Sequence, residues 1–199
     1  MDEVSALGYA LLCALHKEPL TGYDLVRRMH RPIGYYWSAR QSQIYPELSR
    51  LTAAGLIAAD ERGGPGPHPT RTHRLTAAGR KALAAWLPQH PVERPDRDEL
   101  VLKTYALRAG APTAMAKLYR LEAERREARV DEYRAQRAEL AELGADRPEH
   151  RDFGSYATVE LGIRREEQYA QWCRWLADQI ATPTAKGRPR KSGTTIRSR

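Results

Sequence analysis

The chain of 199 residues is poor in cysteine, in phenylalanine and in long apolar runs. Its two cysteines, Cys13 and Cys173, lie in apolar helical patterns without paired spacings, which excludes a disulfide-stapled secreted domain. The apolar stretch Leu7 to Leu15 follows Asp2 and Glu3 instead of a basic segment, and it is too short to span a bilayer. We therefore expect a cytoplasmic protein that does not bind membranes.

Patterns typical of catalysis and metal binding are also missing. No glycine-rich phosphate loop follows a strand-forming run, and neither cysteine has a histidine placed to activate it. His68 and His73 lie in one predicted hairpin, but two histidines without a third ligand make a poor metal site. The sequence therefore predicts a protein that is not an enzyme and that needs neither a metal nor a cofactor.

Acidic residues are absent from the C-terminal tail, residues 183–199, although the whole chain carries 33 basic and 25 acidic side chains. This composition predicts a disordered tail. Its motif KGRPRK resembles an AT-hook core and contains Lys186, Arg188, Arg190 and Lys191. A glycine in an extended basic segment allows arginines to enter the narrow minor groove of A·T-rich DNA. Two interpretations stay open, namely minor-groove contact and a basic terminus that binds nothing in particular.

The first thirty residues predict two short helices. Apolar residues from Val4 to Leu15 recur at helical spacing, and the pattern stops before Pro19. Thr21 and Asp24 have the three-residue spacing of a capping box, which predicts that a second helix begins at Thr21.

The stretch from Trp37 to Gly55 predicts a third helix with two different faces. Ile44, Leu48 and Leu51 recur at steps of four and three and form a stripe that faces a core. We expect Ser42 to be the N-cap, so that Pro46 lies in the first turn and breaks no intrahelical bond. Gly55 predicts the end of the helix in a left-handed conformation.

A hairpin and a fourth helix follow. Residues 56–62 and 71–75 predict two strands, the glycine- and proline-rich segment 63–70 forms the tip between them, and Thr76 caps a helix that ends before Pro88. Three helices, a β-hairpin and a fourth helix have the order of a winged helix-turn-helix domain. In that fold the third helix enters the major groove of DNA, and basic residues of the hairpin reach the backbone.

The predicted DNA-binding residues are therefore polar and basic side chains of the third helix and of the hairpin. They are Arg40, Gln41, Ser42, Gln43, Tyr45, Ser49 and Arg50 on or next to the helix, and Arg62, Arg71 and Arg74 on the hairpin. The arginines match phosphates or guanine, and the amides and hydroxyls match base edges. A solvated helix surface is the alternative interpretation of the same face.

The second half of the chain is predicted to be wholly helical. Two long amphipathic helices form seams that need partners, and pairing with a second copy would cover them in a two-fold homodimer. The predicted dimerisation residues are Tyr119, Val130, Tyr133, Leu140, Val159, Ile163, Trp172, Cys173, Leu176 and Ile180. The domain boundaries that we predict are residues 1–87 for the winged helix, 88–96 for a linker, 97–182 for the helical domain and 183–199 for the tail.

These residues also resemble the PadR family of bacterial transcriptional regulators. The matching motifs are Thr21 to Leu25, Trp37 to Gln43, Ile44 to Leu48, Arg50-Leu51, Gly55 to Ile57, Leu75-Thr76, Gly79-Arg80, Leu83, Arg97 to Leu100, Glu160 to Ile163 and Trp172. The last three are similar to the α-helical C-terminal domain of the branch with virulence-activator-like members. The resemblance implies a homodimer that binds double-stranded operator DNA, in a family that includes repressors, activators and some sensors of aromatic or planar small molecules.

We therefore predict a mainly α protein that has an N-terminal winged helix-turn-helix domain and a C-terminal antiparallel helical dimerisation domain. Its expected function is that of a homodimeric repressor whose third helix reads a pseudo-palindromic operator. The alternative is an effector-sensing or protein-interaction module whose winged fold no longer binds DNA. A small aromatic effector is compatible with Tyr35, Tyr36, Trp37, Trp86, Trp172 and Trp175, for most of which core packing is the simpler role.

Overall fold

The computed structural model describes residues 4–30, 39–62, 70–92 and 97–182, and for residues 30, 61, 62 and 70 it describes the backbone alone. The chain divides into two compact units, residues 1–95 and 96–199. The predicted sites at residues 35–37, at His68 and in the basic tail lie outside the described residues. In the described part of the chain, no helix has the length and apolarity that a membrane crossing requires.

In its described residues, the first unit contains four α-helices and a three-stranded antiparallel sheet. Its elements are α1 (Ala6–Lys17), β1 (Leu20–Thr21), α2 (Gly22–His30), α3 (Gln41–Ala53), β2 (Ile57–Arg62), β3 (Thr70–Leu75) and α4 (Ala77–Trp86). The strand order is β1-β3-β2, with Leu20 opposite His73 and Ile57 opposite Leu75. This arrangement confirms the predicted winged helix and adds β1, a strand that the sequence pattern did not predict. Two residues are too short for any periodicity, so pairing with β3 alone defines this strand.

One apolar core holds the first unit together. Leu11 and Leu12 of α1, Leu25 of α2 and Ile44 of α3 are fully buried, and the predicted stripe of α3 faces this core. Thr21 donates its hydroxyl to Asp24 over 2.6 Å and accepts the Asp24 N–H, which confirms the predicted capping box of α2. The capping box supplies acceptors for backbone N–H groups that a helix leaves unpaired at its start.

The start of α3 differs from the prediction. Arg40 is the N-cap, and its backbone N–H donates to Oε1 of Gln43 over 3.0 Å, so Ser42 is a helical residue instead of the cap. Pro46 consequently lies inside the helix, where the carbonyl of Ser42 loses the N–H donor that another residue at position 46 would supply. The prediction was wrong because serine is the commoner N-cap, whereas here the Gln43 side chain closes the first turn.

The end of α3 agrees with the prediction. Gly55 has φ +70°, and the N–H groups of Gly55 and Leu56 donate to the carbonyls of Thr52 and Leu51 over 2.9 and 3.0 Å. These two bonds form a Schellman motif, which requires a left-handed residue where glycine is unstrained. The turn directs the chain from α3 into β2.

The second unit is helical. It consists of α5 (Glu99–Tyr105), a 3₁₀ turn (Leu107–Ala109), α6 (Pro112–Glu142) and α7 (Phe153–Ala181). Ion pairs connect Glu127 with Arg174 and Arg137 with Glu160, so the partners follow in opposite order and the two long helices are antiparallel.

The seams of α6 and α7 cover each other within one chain. Tyr119 and Cys173 are fully buried between these helices, and Val130, Tyr133, Val159, Ile163 and Leu176 are buried as well. Leu140, Trp172 and Ile180 are partly buried in the same unit. Seven of the ten predicted dimerisation residues are therefore buried within one chain, and a contact of these residues with a second copy stays a prediction. Helical periodicity shows that a stripe needs a partner, but it does not identify the partner helix.

Candidate nucleic-acid interface

The exposed face of α3 contains the residues that the sequence predicted for DNA contact. Six of them, together with the N-cap Arg40, are exposed, while Ile44, Leu48 and Leu51 are buried on the opposite side. The six are Gln41, Ser42, Gln43, Tyr45, Ser49 and Arg50. The helix thus presents amide, hydroxyl and guanidinium groups to solvent, which are the groups that hydrogen-bond to base edges and phosphates.

Four of these side chains, including Arg50, which is described with Glu47 below, also make contacts within the helix or with α2. Gln43 uses its amide oxygen for the N-cap bond, so its NH₂ group remains for an outside acceptor. Ser49 donates its hydroxyl to the carbonyl of Tyr45 over 3.2 Å. The Tyr45 ring lies against Gly22, where a Cβ would come within 2.7 Å of the ring atom Cε1. The absence of a side chain at Gly22 therefore leaves room for the Tyr45 ring.

Glu47 is the residue of α3 that the sequence prediction missed. Its side chain is on the buried side of the helix, and the whole residue is only 2% exposed. One carboxylate oxygen accepts the hydroxyl of Ser5 over 2.7 Å, and the other accepts the guanidinium of Arg50. The spacing of Glu47 from Ile44 and Leu51 already places it beside the apolar stripe, which is the signal that could have found it.

The three predicted arginines of the hairpin differ in their surroundings. Arg74 pairs with Asp60 of β2 at 2.8 Å, and both side chains are about half exposed. Arg71 is exposed and lines a cleft of about 650 Å³ between α3 and the sheet, together with Tyr23, Tyr45, Ser49 and Thr52. The side chain of Arg62, the last residue of β2, lies outside the described residues.

His73 is a buried polar residue that also lines this cleft. It is 8% exposed, and within the described part of the chain its Nδ1 atom has no hydrogen-bond partner. Burial, assisted by the positive charge of Arg71, lowers the pKa of His73 below its ordinary value. Folding of the first unit therefore favours the neutral form of this imidazole.

We expect this histidine to make the first unit less stable in mild acid. Because its pKa is lower in the folded state, the unfolded chain binds the proton first as pH falls below about 6.5, and stability is lost through that window. Urea unfolding at about pH 7.5 and pH 5.5 measures the effect. The variant His73→Gln keeps a polar side chain without the titration, so its pH dependence should be weaker. Parallel pH dependences of the two proteins would contradict this account.

The described residues contain no group of three His, Cys, Asp or Glu side chains that could hold a metal ion. The predicted aromatic set divides between the two units. In the first unit, Trp86 stacks on Tyr9 with ring centroids 4.4 Å apart, and in the second, Trp172 makes edge contacts with Tyr119 and Tyr169. Trp175 is exposed. Packing inside each unit therefore accounts for Trp86 and Trp172.

A polar cleft of about 490 Å³ lies in the second unit beside the start of α5. It is lined by Arg97, Asp98, Glu99, Leu100, Lys103, Leu118, Glu122, Arg125, Arg126 and Arg165. Tyr169 donates its hydroxyl to Asp98 over 2.6 Å, and this bond lowers the pKa of the Asp98 carboxyl. The Arg126 guanidinium lies 3.9 Å from the centre of the Tyr169 ring and pairs with Glu122 and Glu166. The cleft is thus a fixed, charged surface with more basic than acidic side chains.

A winged helix whose third helix exposes arginine, amide and hydroxyl groups defines the class of DNA-binding transcriptional regulators. The family profile described as "Transcriptional regulator PadR-like family" matches residues 11–85, and the profile "Virulence activator alpha C-term" matches residues 97–181. The chain is 30% identical over 179 residues to "Negative transcriptional regulator PadR" of Bacillus subtilis (strain 168), covering 87% of this chain and 97% of that one. The chain therefore belongs to the PadR family of transcriptional regulators.

Solved structures of the Bacillus subtilis protein have the same fold. The chain superposes on "Bacillus subtilis PadR in complex with operator DNA" with a TM-score of 0.80 at 29% identity, covering 88% of this chain and 99% of that chain. The complex of the same relative with p-coumaric acid gives a TM-score of 0.74 at 28% identity, covering 89% of this chain and all of that one. The family consists of transcriptional regulators, not enzymes.

Proposed function

We propose that the protein is a homodimeric repressor whose two copies of α3 enter successive major grooves of a pseudo-palindromic operator. The observation that carries this proposal is the division of α3 into a buried apolar stripe and an exposed face of DNA-compatible groups. A two-fold dimer on such a site places its half-sites roughly 34–36 Å apart, or a multiple of that distance. The relative from Bacillus subtilis, named a negative regulator and solved with operator DNA, supports the same assignment.

The residues divide by role in this proposal. Gln41, Ser42 and the NH₂ group of Gln43, at the start of α3, read base edges together with Ser49 and Tyr45. Arg40 and Arg50 contact phosphate or guanine. The hairpin arginines Arg62, Arg71 and Arg74 neutralise the flanking backbone.

We assign residues 1–87 to DNA binding, 88–96 to a linker, 97–182 to dimerisation and 183–199 to a basic tail. Since the α6 and α7 seams are covered within one chain, the dimer contact needs other apolar side chains of the second unit. Those that are exposed in the single chain are Val101, Leu102, Tyr105, Leu121, Leu143, Leu161 and Trp175. Tyr105 is 94% exposed, which a second copy would reduce.

Selection of genomic fragments tests the proposal directly. The full-length protein is incubated with sheared genomic DNA of its source, and the retained fragments are sequenced. We expect enrichment of one motif with two-fold symmetry and a half-site spacing of about one helical turn or a multiple of it. Recovery of fragments without a shared motif would contradict sequence-specific binding.

The basic tail is proposed to add minor-groove contacts. Truncation after Thr182 removes six basic residues and no acidic one. We expect weaker operator binding and a flatter dependence of log K on log salt, since each phosphate contact contributes roughly 0.9 to the slope on duplex DNA. Fluorescence anisotropy at several salt concentrations measures this slope. An unchanged slope would show that the tail binds nothing in the complex.

We also propose that a small aromatic acid releases the operator. Two facts support it: the relative has been solved with p-coumaric acid, and the cleft beside α5 carries a surplus of basic side chains that suits a carboxylate. Calorimetric titration of the protein with p-coumarate, alone and in the presence of operator DNA, tests the proposal. Saturable binding that weakens DNA affinity is the expected result, and the absence of heat at millimolar ligand would exclude this compound.

A further inference from the structure

We propose that Glu47 is a positioning residue that orients Arg50 for contact with a base edge and so contributes to operator specificity. The inference depends on the proposed function of α3 as the reading helix and adds a role to a residue that cannot itself reach DNA. Glu47 is 2% exposed, whereas the Arg50 side chain is 70% exposed. A buried carboxylate thus pairs with the guanidinium of an arginine whose side chain is mostly exposed to solvent.

Both oxygens of the Glu47 carboxylate have defined partners. Oε1 accepts the Ser5 hydroxyl over 2.7 Å, and Ser5 in turn accepts the Gly8 N–H over 2.9 Å as the N-cap of α1. A Cβ at position 8 would come within 2.7 Å of Oε1, so the absence of a side chain there leaves space for the carboxylate. Oε2 accepts from Nη2 of Arg50. The carboxylate is therefore fixed from α1 and cannot follow a rotating arginine.

The ion pair with Glu47 orders the Arg50 side chain before DNA binds. A free arginine loses side-chain entropy when DNA orders it, and an arginine that is ordered before binding loses less. The ion pair occupies Nη2 in part and leaves the rest of the guanidinium fork for an outside acceptor. Guanine O6 and N7 match such a fork.

The negative charge of Glu47 makes the arrangement selective for bases over phosphates. A phosphate approaching Arg50 meets a partly neutralised guanidinium, so the attraction that is independent of sequence is reduced. Hydrogen bonds to a base edge require a defined direction, which attraction to a phosphate requires much less, and the fixed geometry favours them. Glu47 should therefore raise the ratio of specific to non-specific affinity, not the affinity for all DNA.

The test compares operator and non-operator duplexes. Glu47→Gln keeps the shape and an oxygen acceptor for Ser5 but removes the charge that holds Arg50. We expect the ratio of specific to non-specific affinity to fall about tenfold, with non-specific affinity unchanged or higher. In the Arg50→Ala background, Glu47→Gln should cause no further fall in that ratio. The matched control is Asp60→Asn, which removes the carboxylate partner of Arg74 at the half-exposed hairpin pair and should leave the ratio unchanged.

Three outcomes would overturn the inference. The first is that Glu47→Gln lowers the ratio of specific to non-specific affinity equally with arginine and with alanine at position 50. The second is that Glu47→Gln lowers specific and non-specific affinity together. The third is that Glu47→Gln leaves the ratio unchanged although Arg50→Ala lowers operator affinity. The third outcome would contradict the role of Glu47 but not the proposed recognition of bases by α3. If the wild-type protein showed no preference for the operator, the proposed function of α3 would itself be wrong.

A second variant covers the case in which Glu47→Gln does not fold. Arg50→Lys keeps the positive charge and the pairing with Glu47 but lacks the planar fork. We expect it to lose the specificity ratio as Arg50→Ala does. If Arg50→Lys kept the wild-type ratio, orientation of a fork by Glu47 would be unnecessary and the inference would be wrong.

Discussion

Replacing Arg40 and Arg50 together with alanine should lower operator affinity roughly 30-fold or more and leave the oligomeric state unchanged. Each arginine that contacts DNA contributes about 1–3 kcal/mol, and both side chains lie on the exposed face of α3 or at its N-cap. Fluorescence anisotropy with the selected operator measures the affinity, and analytical ultracentrifugation measures the dimer. The salt dependence of the two single variants shows which arginine contacts phosphate, because loss of that arginine lowers the slope by about one.

A matched control removes the same charge elsewhere. Arg120 and Arg164 are exposed residues of the second unit, and replacing both with alanine should leave operator affinity within about twofold. If the Arg40 and Arg50 variant kept wild-type affinity with an intact dimer, the alternative function would be favoured, namely a helical interaction module whose winged fold does not bind DNA. Because Arg50→Ala removes a partner of the buried Glu47, unfolding of this variant must be measured alongside.

Gly79→Ala should destabilise the first unit by about 3 kcal/mol or more. A Cβ at position 79 would lie 2.0 Å from the carbonyl oxygen of Leu56, and that oxygen already accepts the N–H and the hydroxyl of Thr76 over 3.1 and 3.0 Å. The carbonyl is held by these two bonds, so the strain cannot be relieved by a small side-chain movement. Urea unfolding followed by circular dichroism measures the loss.

The sequence offers its own control, because the hexapeptide RLTAAG occurs twice. Gly55 ends the first copy and Gly79 ends the second. At Gly55 no atom lies within 4 Å of an added Cβ, and the cost of alanine is only the left-handed φ of +70°, about 1–2 kcal/mol. Equal losses for the two variants would show that the close approach at Gly79 relaxes at no greater cost than that of a left-handed alanine.

Local signals predicted much of the fold. The capping box of Thr21 and Asp24, the cap at Thr76 and the stop at Gly55 each depend on residues close in sequence, and the structure confirms all three. The predicted N-cap of α3 was wrong. Ser42 was expected there, but Arg40 is the N-cap, and its N–H donates to the Gln43 side chain. A cap is a competition between neighbouring side chains, and residue preference alone does not resolve it.

The candidate interface was only partly predictable. Alternation of polar and apolar residues correctly identified the exposed face of α3, but it did not show that the buried Glu47 pairs with Ser5, forty-two positions away in the chain. The same limit affected the helical seams. Tyr119 and Cys173 were recognised as buried positions, yet their partner is a helix of the same chain, and no periodicity carries that information.

The amino-acid sequence by itself determined where the helices and the hairpin lie, which face of each helix is apolar and which family the chain resembles, because these depend on short-range spacing. Tertiary structure alone decided the rest. It pairs β1 with β3, packs α6 on α7 and places the Glu47 carboxylate at the start of α1. It also requires the glycines of the two RLTAAG copies for different reasons, a left-handed backbone at Gly55 and a close approach to the Leu56 carbonyl at Gly79. In each case the deciding contact joins residues that are distant in the chain, so its geometry exists only after folding.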